Sequence, residues 1–230
     1  IADNKDDNLT ARIELRPFGS YSVYTGYSLV NDSEGKSDKV VFGQNYQVTK
    51  DFGIYSEHQL LKDPDARSTI EAYGISYKVK DNYTLGIAYQ QGVVNENAGE
   101  SYKRRAVSLS SSYDKSKFKL TNKFEYRIDN KSSLNEETYV TTNGFSVRLT
   151  DSLRGLANFD YSISRDRETD ETIERYSEAN VGFAFRPVTN NRLAILGRYR
   201  NIQQEDKTSR TNVTDQKKEI FEAEVNYKLS

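Results

Sequence analysis

A strict alternation of apolar and polar residues over long segments is the feature that most constrains this chain. From Tyr73 the sequence reads Tyr-Gly-Ile-Ser-Tyr-Lys-Val, so Tyr73, Ile75 and Tyr77 fall on one side of an extended strand. Successive side chains of a strand point to opposite faces, whereas a helix would need a spacing of three to four that these segments do not show. The sequence therefore predicts an all-β fold.

The alternation sorts the residues of the predicted strands into two sets. The apolar set is predicted to face lipid and comprises Tyr73, Ile75, Tyr77, Phe118, Leu120, Phe124, Phe159, Tyr161, Val181, Phe183, Phe185, Phe221, Val225 and Tyr227. The polar set is predicted to face a lumen and comprises Arg12, Glu14, Arg16, Lys119, Lys123, Glu125, Arg148, Asp160, Glu178, Arg186, Arg198, Arg200, Glu222, Glu224 and Lys228.

The predicted strands are longer than the roughly five or six residues that are usual in globular sheets. Their length suits a tilted strand crossing a bilayer, which needs about nine to eleven residues. They fall near residues 9–17, 21–31, 39–49, 52–62, 68–79, 83–92, 104–113, 117–128, 138–149, 153–164, 175–187, 191–202 and 217–229.

The connections between these strands alternate between tight turns and long polar loops. Turns such as 80–82 and 114–116 are short, whereas loops such as 92–103 and 203–217 are rich in charged and amide residues. Outer-membrane barrels have short periplasmic turns and long extracellular loops. The sequence thus predicts an antiparallel transmembrane β-barrel of about 12–14 strands. A soluble antiparallel β protein is the alternative.

Composition excludes several classes of function. The chain has 33 Lys and Arg against 34 Asp and Glu, so its net charge of -1 favours no nucleic-acid partner. It has no Cys and a single His, and no apolar run approaches the length of a membrane helix. We therefore expect no metal, no cofactor and no helical membrane span.

One hairpin carries a resemblance to a known class of proteins. The segment 181–200 resembles a hairpin of β-barrel domains in Gram-negative outer-membrane proteins, some of them joined to large surface-exposed regions. In those barrels an Arg-Pro turn with Asn or Asp and then Arg-Leu joins two amphipathic strands. The matching residues here are Arg186, Pro187, Asn191, Arg192 and Leu193. The resemblance implies a barrel and a bacterial outer-membrane location, and it implies no catalytic activity.

Strand parity raises the question of completeness. Residues 1–8 read as a polar N-terminal segment and 9–230 as the barrel, or as part of a larger one. Thirteen strands is an odd number, whereas bacterial single-chain barrels have even numbers. Either a strand is missing, or 9–17 is not a barrel strand and the remaining 12 strands close.

Ser56 and His58 are the candidate catalytic pair, because they share one face of a predicted strand. A serine beside a histidine is the pattern of nucleophilic catalysis. No further motif surrounds the pair, and a lone histidine is more often a polar surface group. We therefore expect no enzymatic activity.

Three functions remain open at this point. The first is a membrane anchor or scaffold for surface-exposed loops or partner regions, and the alternative is a porin-like channel for small solutes. The third is an outer-membrane enzyme or a soluble β-barrel that binds a ligand. The expected partners are outer-membrane lipid and further barrel strands or other protein chains.

Overall fold

The computed structural model describes residues 7–32, 35–64, 66–97, 99–132, 134–188, 192–209 and 212–227. Lys228 of the predicted polar set and Asn191 of the Arg-Pro hairpin lie outside these ranges. All regular elements in the described ranges are β-strands. The described residues include no helix long and apolar enough to cross a membrane.

Thirteen strands form one antiparallel sheet in which each strand pairs with its neighbour in sequence, from β1 to β13. The strands are β1 (Asp7–Phe18), β2 (Tyr21–Asp32), β3 (Gly35–Gln47), β4 (Phe52–Lys62), β5 (Ala66–Lys80), β6 (Tyr83–Glu96), β7 (Ser101–Lys115), β8 (Phe118–Asn130), β9 (Asn135–Arg148), β10 (Leu153–Asp166), β11 (Thr172–Phe185), β12 (Leu193–Ser209) and β13 (Asn212–Tyr227).

Each predicted strand has a counterpart in this sheet. The alternative in which residues 9–17 are not a strand of the sheet is wrong, because β1 pairs with β2 in antiparallel register, with Ile13 opposite Thr25. β1 begins at Asp7, inside the segment 1–8 that was predicted as a separate polar region.

The predicted bounds of the long loops are wrong. Strand pairing continues into them, so that β12 extends to Ser209 and β13 begins at Asn212 across the predicted loop 203–217. Charged side chains pair within this extension, as in the 2.8 Å contact between Lys207 Nζ and Glu205 Oε1. A polar composition alone does not distinguish a loop from a solvated hairpin.

The other five long polar loops are also shorter than the sequence predicts, for the same reason; their predicted bounds are 31–39, 62–67, 92–103, 129–137 and 165–174. The connections that replace them are 33–34, 63–65, 97–100, 131–134 and 167–171.

The chain divides into two compact units. The first comprises residues 1–79, 85–108 and 127–136, and the second comprises 80–84, 109–126 and 137–230. Buried apolar residues are few and mostly small in the first unit, for example Ala72, Ala88 and Ala106. No large side chain among the described residues is fully buried. The apolar residues therefore do not assemble into the core that a soluble domain would need.

The register places the apolar and polar sets on opposite faces of the sheet. Between β10 and β11, Ala157 lies opposite Val181, and Asp160 lies opposite Glu178. We call the face that carries Val181 and its apolar neighbours the apolar face, and the face that carries Glu178 the polar face. Phe183 on the apolar face is 47% exposed. The alternation in the sequence thus places apolar and polar side chains on two different surfaces of the sheet.

A substitution by arginine tests which face meets lipid. Val181→Arg should lower the free energy of unfolding in lipid by about 2–4 kcal/mol, because a charge near the bilayer midplane is costly. Ser162→Arg, on the polar face, should have a small effect. Both variants can be measured by denaturant titration of the barrel folded into lipid vesicles, and equal losses at the two positions would contradict the assignment.

Candidate functional site

The polar face carries ion pairs that join adjacent strands. In the second unit, Arg200 Nε and Nη2 donate to the two carboxylate oxygens of Glu178 at 2.6 and 3.1 Å. Arg198 lies directly opposite Glu222 in the register of β12 and β13, and its Nε donates to the Glu222 carboxylate at 2.7 Å. Because the guanidinium group is a planar fork, the Arg200 contact is bidentate and fixes the position of both side chains.

A third carboxylate lies beside the first of these pairs. Asp160 is directly opposite Glu178 in the register. Its Oδ1 is buried and has no hydrogen-bond partner among the described residues, while its carboxylate is hydrogen-bonded by Thr142. The Tyr176 hydroxyl also donates to Glu178, at 2.5 Å. Arg200 therefore offsets the repulsion between two carboxylates that face each other across neighbouring strands.

The polar face of the first unit carries a similar arrangement at β1. Glu14 accepts a hydrogen bond from Arg16 Nε at 2.9 Å and one from Arg12 at 3.4 Å. The Arg12 guanidinium lies 3.9 Å from the centre of the Tyr24 ring, within the range of a cation–π contact. Two arginines predicted from alternation alone thus both contact the carboxylate of Glu14.

Two tyrosines lie flat against the polar face because a glycine opposite each leaves room. Tyr24 covers Gly43, and Tyr55 covers Gly74. A Cβ at either glycine would overlap the tyrosine ring. The Tyr24 hydroxyl donates to Glu57, which extends the polar network to β4.

The most enclosed ion pair lies in the first unit. Arg104 Nε and Nη2 donate to the two carboxylate oxygens of Asp129 at 2.8 and 2.7 Å, and the Asp129 side chain is only 5% exposed. In the neighbouring turn, Lys131 Nζ lies 3.2 Å from Glu136 and 5.1 Å from the centre of the Tyr102 ring. Burial is the largest single influence and lowers the pKa of Lys131, but the charge and hydrogen bond of Glu136, together with Tyr102 and Glu96, raise the pKa above its ordinary value.

The remaining residues of the predicted polar set take less connected positions. Lys123 Nζ lies 2.7 Å from Glu125, and Lys119 Nζ lies 3.9 Å from Asp114. Glu224 accepts a hydrogen bond from Asn226 at 2.6 Å. Arg148 and Arg186 are anchored through their backbone N–H groups, which donate to the carbonyls of Lys117 and Ser152.

Four residues of this network were not singled out from the sequence: Tyr24, Glu57, Arg104 and Asp129. Arg104 begins a predicted strand and Asp129 follows one, so alternation assigned neither of them to a face. Glu57 lies in a segment whose alternation is interrupted by other polar residues. The sequence alone does not show that β7 pairs with β8, and this pairing is what brings Arg104 and Asp129 together.

The side chains of the predicted lipid-facing set are exposed or half-buried. Several contact each other across strands. The rings of Tyr199 and Phe221 are 4.6 Å apart, and those of Phe118 and Phe145 are 6.5 Å apart. Cross-strand aromatic pairs of this kind stabilise a sheet without burying it in a core.

Ser56 and His58 lie on the face of β4 that also carries Phe52 and Ile54, opposite to the face that carries Tyr55 and Glu57. Ser56 Oγ accepts a hydrogen bond from Gln44 Nε2 at 3.0 Å, and His58 lies opposite Glu71 in the register. In the described part of the chain no hydrogen bond joins Ser56 to His58. Within that part, no group of three or more His, Cys, Asp and Glu side chains could hold a metal ion.

Comparisons with known proteins place this sheet among membrane barrels. No protein-family description matches the sequence, and no curated protein matches it. Solved structures do. The outer-membrane channel DcaP of Acinetobacter baumannii superposes with a TM-score of 0.63 at 11% identity, covering 96% of this chain and 84% of that one.

Two further solved structures show the same fold. The outer-membrane protein OmpT of Vibrio cholerae superposes with a TM-score of 0.61 at 7% identity, covering 96% of this chain and 89% of that one. The anion-selective porin of Comamonas acidovorans gives 0.55 at 9% identity, covering 96% and 87%. The predicted fold class, an antiparallel β-barrel of the outer-membrane kind, is thereby confirmed.

The buried pair of β7 and β8 should contribute more to stability than an exposed one. Asp129→Asn should cost about 2–3 kcal/mol of unfolding free energy, because it leaves the Arg104 charge enclosed with a weaker partner. Asp114→Asn removes half of an exposed pair at 3.9 Å and should cost less than about 0.5 kcal/mol. Urea titration in lipid vesicles measures both losses, and similar values would show that the enclosed pair has no special weight.

Proposed function

We propose that this chain forms a porin-like channel in the bacterial outer membrane, with the polar face lining a water-filled lumen that passes small polar solutes. In such a barrel one face of every strand meets lipid and the other meets the lumen. The apolar and polar faces defined above supply these two surfaces.

The observation that carries the proposal is the solvation of the ion pairs on the polar face. The side chains of Arg198 and Glu222 are 42% and 48% exposed although they are in contact with each other. Enclosing such charges in a dry barrel would cost more free energy than their attraction returns, whereas a water-filled lumen solvates them cheaply. A lumen occupied by water suits these side chains better than a closely packed interior.

The comparisons with solved structures also support a channel. DcaP is named as an outer-membrane channel, and the Comamonas protein is named as an anion-selective porin. A likeness at these identities concerns the fold, and a function follows only from the residues of this chain. In this chain acidic and basic groups alternate on the polar face, which favours a channel with weak preference between anions and cations.

Removing one lumenal carboxylate should change that preference. Glu178→Gln leaves the charge of Arg200 without its bidentate partner and adds net positive charge to the polar face. The zero-current potential of the channel in a planar bilayer, measured across a KCl gradient, should shift toward anion selectivity. Long-range fields in a narrow aqueous path act on permeating ions in this way.

A matched variant controls for the general loss of a carboxylate. Glu205→Gln makes the same chemical change in β12, at the outer end of the hairpin, where Glu205 contacts Lys207 and Arg175. This variant should leave the zero-current potential unchanged. Folded protein that conducts no ions in the bilayer would overturn the proposal of a channel.

The membrane anchor is the second candidate, and one observation favours it. β12 and β13 are 17 and 16 residues long, which exceeds the roughly nine to eleven residues that a bilayer requires. In a barrel of this kind the described parts of these two strands would extend beyond the membrane, where a partner could bind them. The resemblance of the Arg-Pro hairpin to barrels joined to large surface regions points the same way. A folded, non-conducting barrel with an accessible hairpin would favour the anchor over the channel.

Sidedness can be measured with single cysteines, because the natural chain has none. Thr169→Cys lies in the connection between β10 and β11, and Asp151→Cys lies in the turn between β9 and β10. A membrane-impermeant maleimide added to whole cells should label position 169 and not position 151, since the longer hairpins are proposed to be extracellular. Labelling of position 151 in sealed cells would reverse the topology.

Lipid and further strands are the partners that this proposal implies. The described sheet ends on β1 and β13. Since each of the twelve steps between them is antiparallel, these two strands run in the same direction, and their direct pairing would be parallel. Closure in the all-antiparallel manner of bacterial barrels would use at least one more strand, from the same polypeptide or from a neighbour.

A further inference from the structure

One row of polar side chains interrupts the apolar face of the second unit. On β8 the side chains of this face are Phe118, Leu120, Asn122, Phe124, Tyr126, Ile128 and Asn130. Asn122 therefore lies between Leu120 and Phe124, away from both ends of the strand. In a barrel of the outer-membrane kind this face meets the hydrocarbon of the bilayer.

Asn122 belongs to a connected set of hydrogen bonds that crosses four strands. Ser111 Oγ on β7 lies 3.4 Å from Asn122 Oδ1, and Asn122 Nδ2 donates to Asn143 Oδ1 on β9 at 2.7 Å. Asn143 Nδ2 donates to Thr141 Oγ1 at 3.1 Å and to the Phe159 carbonyl on β10 at 3.2 Å. We call Ser111, Asn122, Thr141 and Asn143 the amide strip.

The amide strip satisfies only part of its own hydrogen-bonding capacity. A primary amide has two N–H donors, and a threonine hydroxyl has one. Asn143 uses both of its donors, whereas Asn122 uses one, and the Thr141 hydroxyl accepts without donating to any described residue. Polar groups without a partner are costly in hydrocarbon, where neither lipid tails nor water supply one.

The surroundings of the strip restrict what could supply the missing partners. Leu109, Phe124, Phe145 and Phe159 lie beside it and are exposed. A charged partner group would lose its hydration against this apolar surface and find no opposite charge. The occupant that fits is a neutral, mainly apolar membrane surface that offers both a hydrogen-bond donor and an acceptor at its centre.

A second copy of the same chain presents such a surface. We propose that the amide strip is the centre of an isologous interface between two copies of this barrel within the membrane. In an isologous contact each donor of one copy meets an acceptor of the other, and the same contact occurs twice. The second N–H of Asn122 and the Thr141 hydroxyl are the donors, and the carbonyl oxygens of Asn122 and Asn143 are the acceptors. The flanking phenylalanines and Leu109 pack around them. This inference rests on the fold and is independent of whether the lumen conducts.

The test is the oligomeric state of the purified full chain in lipid bilayers, measured by energy transfer between labelled copies. The natural protein should form dimers, and the double variant Asn122→Leu, Asn143→Leu should associate about tenfold or more weakly, because hydrogen bonds between membrane segments each contribute modestly to association. Migration on unheated gels verifies that the variant is folded. A monomeric natural protein, or a variant that dimerises as tightly, would overturn the proposal.

Disulfide cross-linking provides a second, independent readout. Thr141→Cys, in the otherwise cysteine-free chain, should form cross-linked dimers in the bilayer on mild oxidation. Ile75→Cys is a matched control, because Ile75 is an exposed apolar-face residue of β5 outside the strip. Equal cross-linking at both positions would indicate random collision and would overturn the proposal, as would no cross-linking at position 141. If the leucine variant does not fold, this comparison decides the question.

Discussion

The fold depends on one constraint, which is that each backbone N–H and C=O group inside hydrocarbon must have a partner within the protein. An antiparallel sheet in which every strand pairs with its neighbour in sequence meets this constraint with the simplest connections. Once the backbone is paired in this way, side chains are left to face two different solvents. Alternation of period two is the only sequence pattern that serves both, and it explains why a chain with 29% charged residues needs no conventional core.

The polar face shows how charge is accommodated in this arrangement. Some of its ion pairs join neighbouring strands, as Arg200 joins Glu178 and Arg104 joins Asp129. Each of these pairs ties two strands together and neutralises a charge that would otherwise repel its neighbours, whereas Arg16 and Glu14 pair within β1. The glycines beneath Tyr24 and Tyr55 serve the same face differently, because they let large rings lie against the sheet where a Cβ would overlap them.

Much of the fold follows from the sequence, because alternation needs only local information. It predicts the strands and sorts residues such as Phe183 and Glu178 onto opposite faces, which the register then displays. The hairpin ends were mispredicted, since Gln203–Lys217 has the composition of a loop and the pairing of a strand. Contacts between strands could not be predicted either. The partner of Arg104 lies 25 residues away, and only the register of β7 and β8 brings Asp129 to it.

Polar residues that interrupt the alternation on the apolar face indicate interactions that the alternation itself does not predict. Many different apolar residues can face lipid. The identity of Phe124 or Leu120 therefore indicates only which face of the sheet the residue lies on. Asn122 and Asn143 cost free energy at the same depth unless their amides are bonded, and the contacts across β7 to β10 supply only part of what they need. Bulk lipid would be better matched by leucine at these two positions, and this difference is the physical basis for proposing that a second copy of the chain covers them.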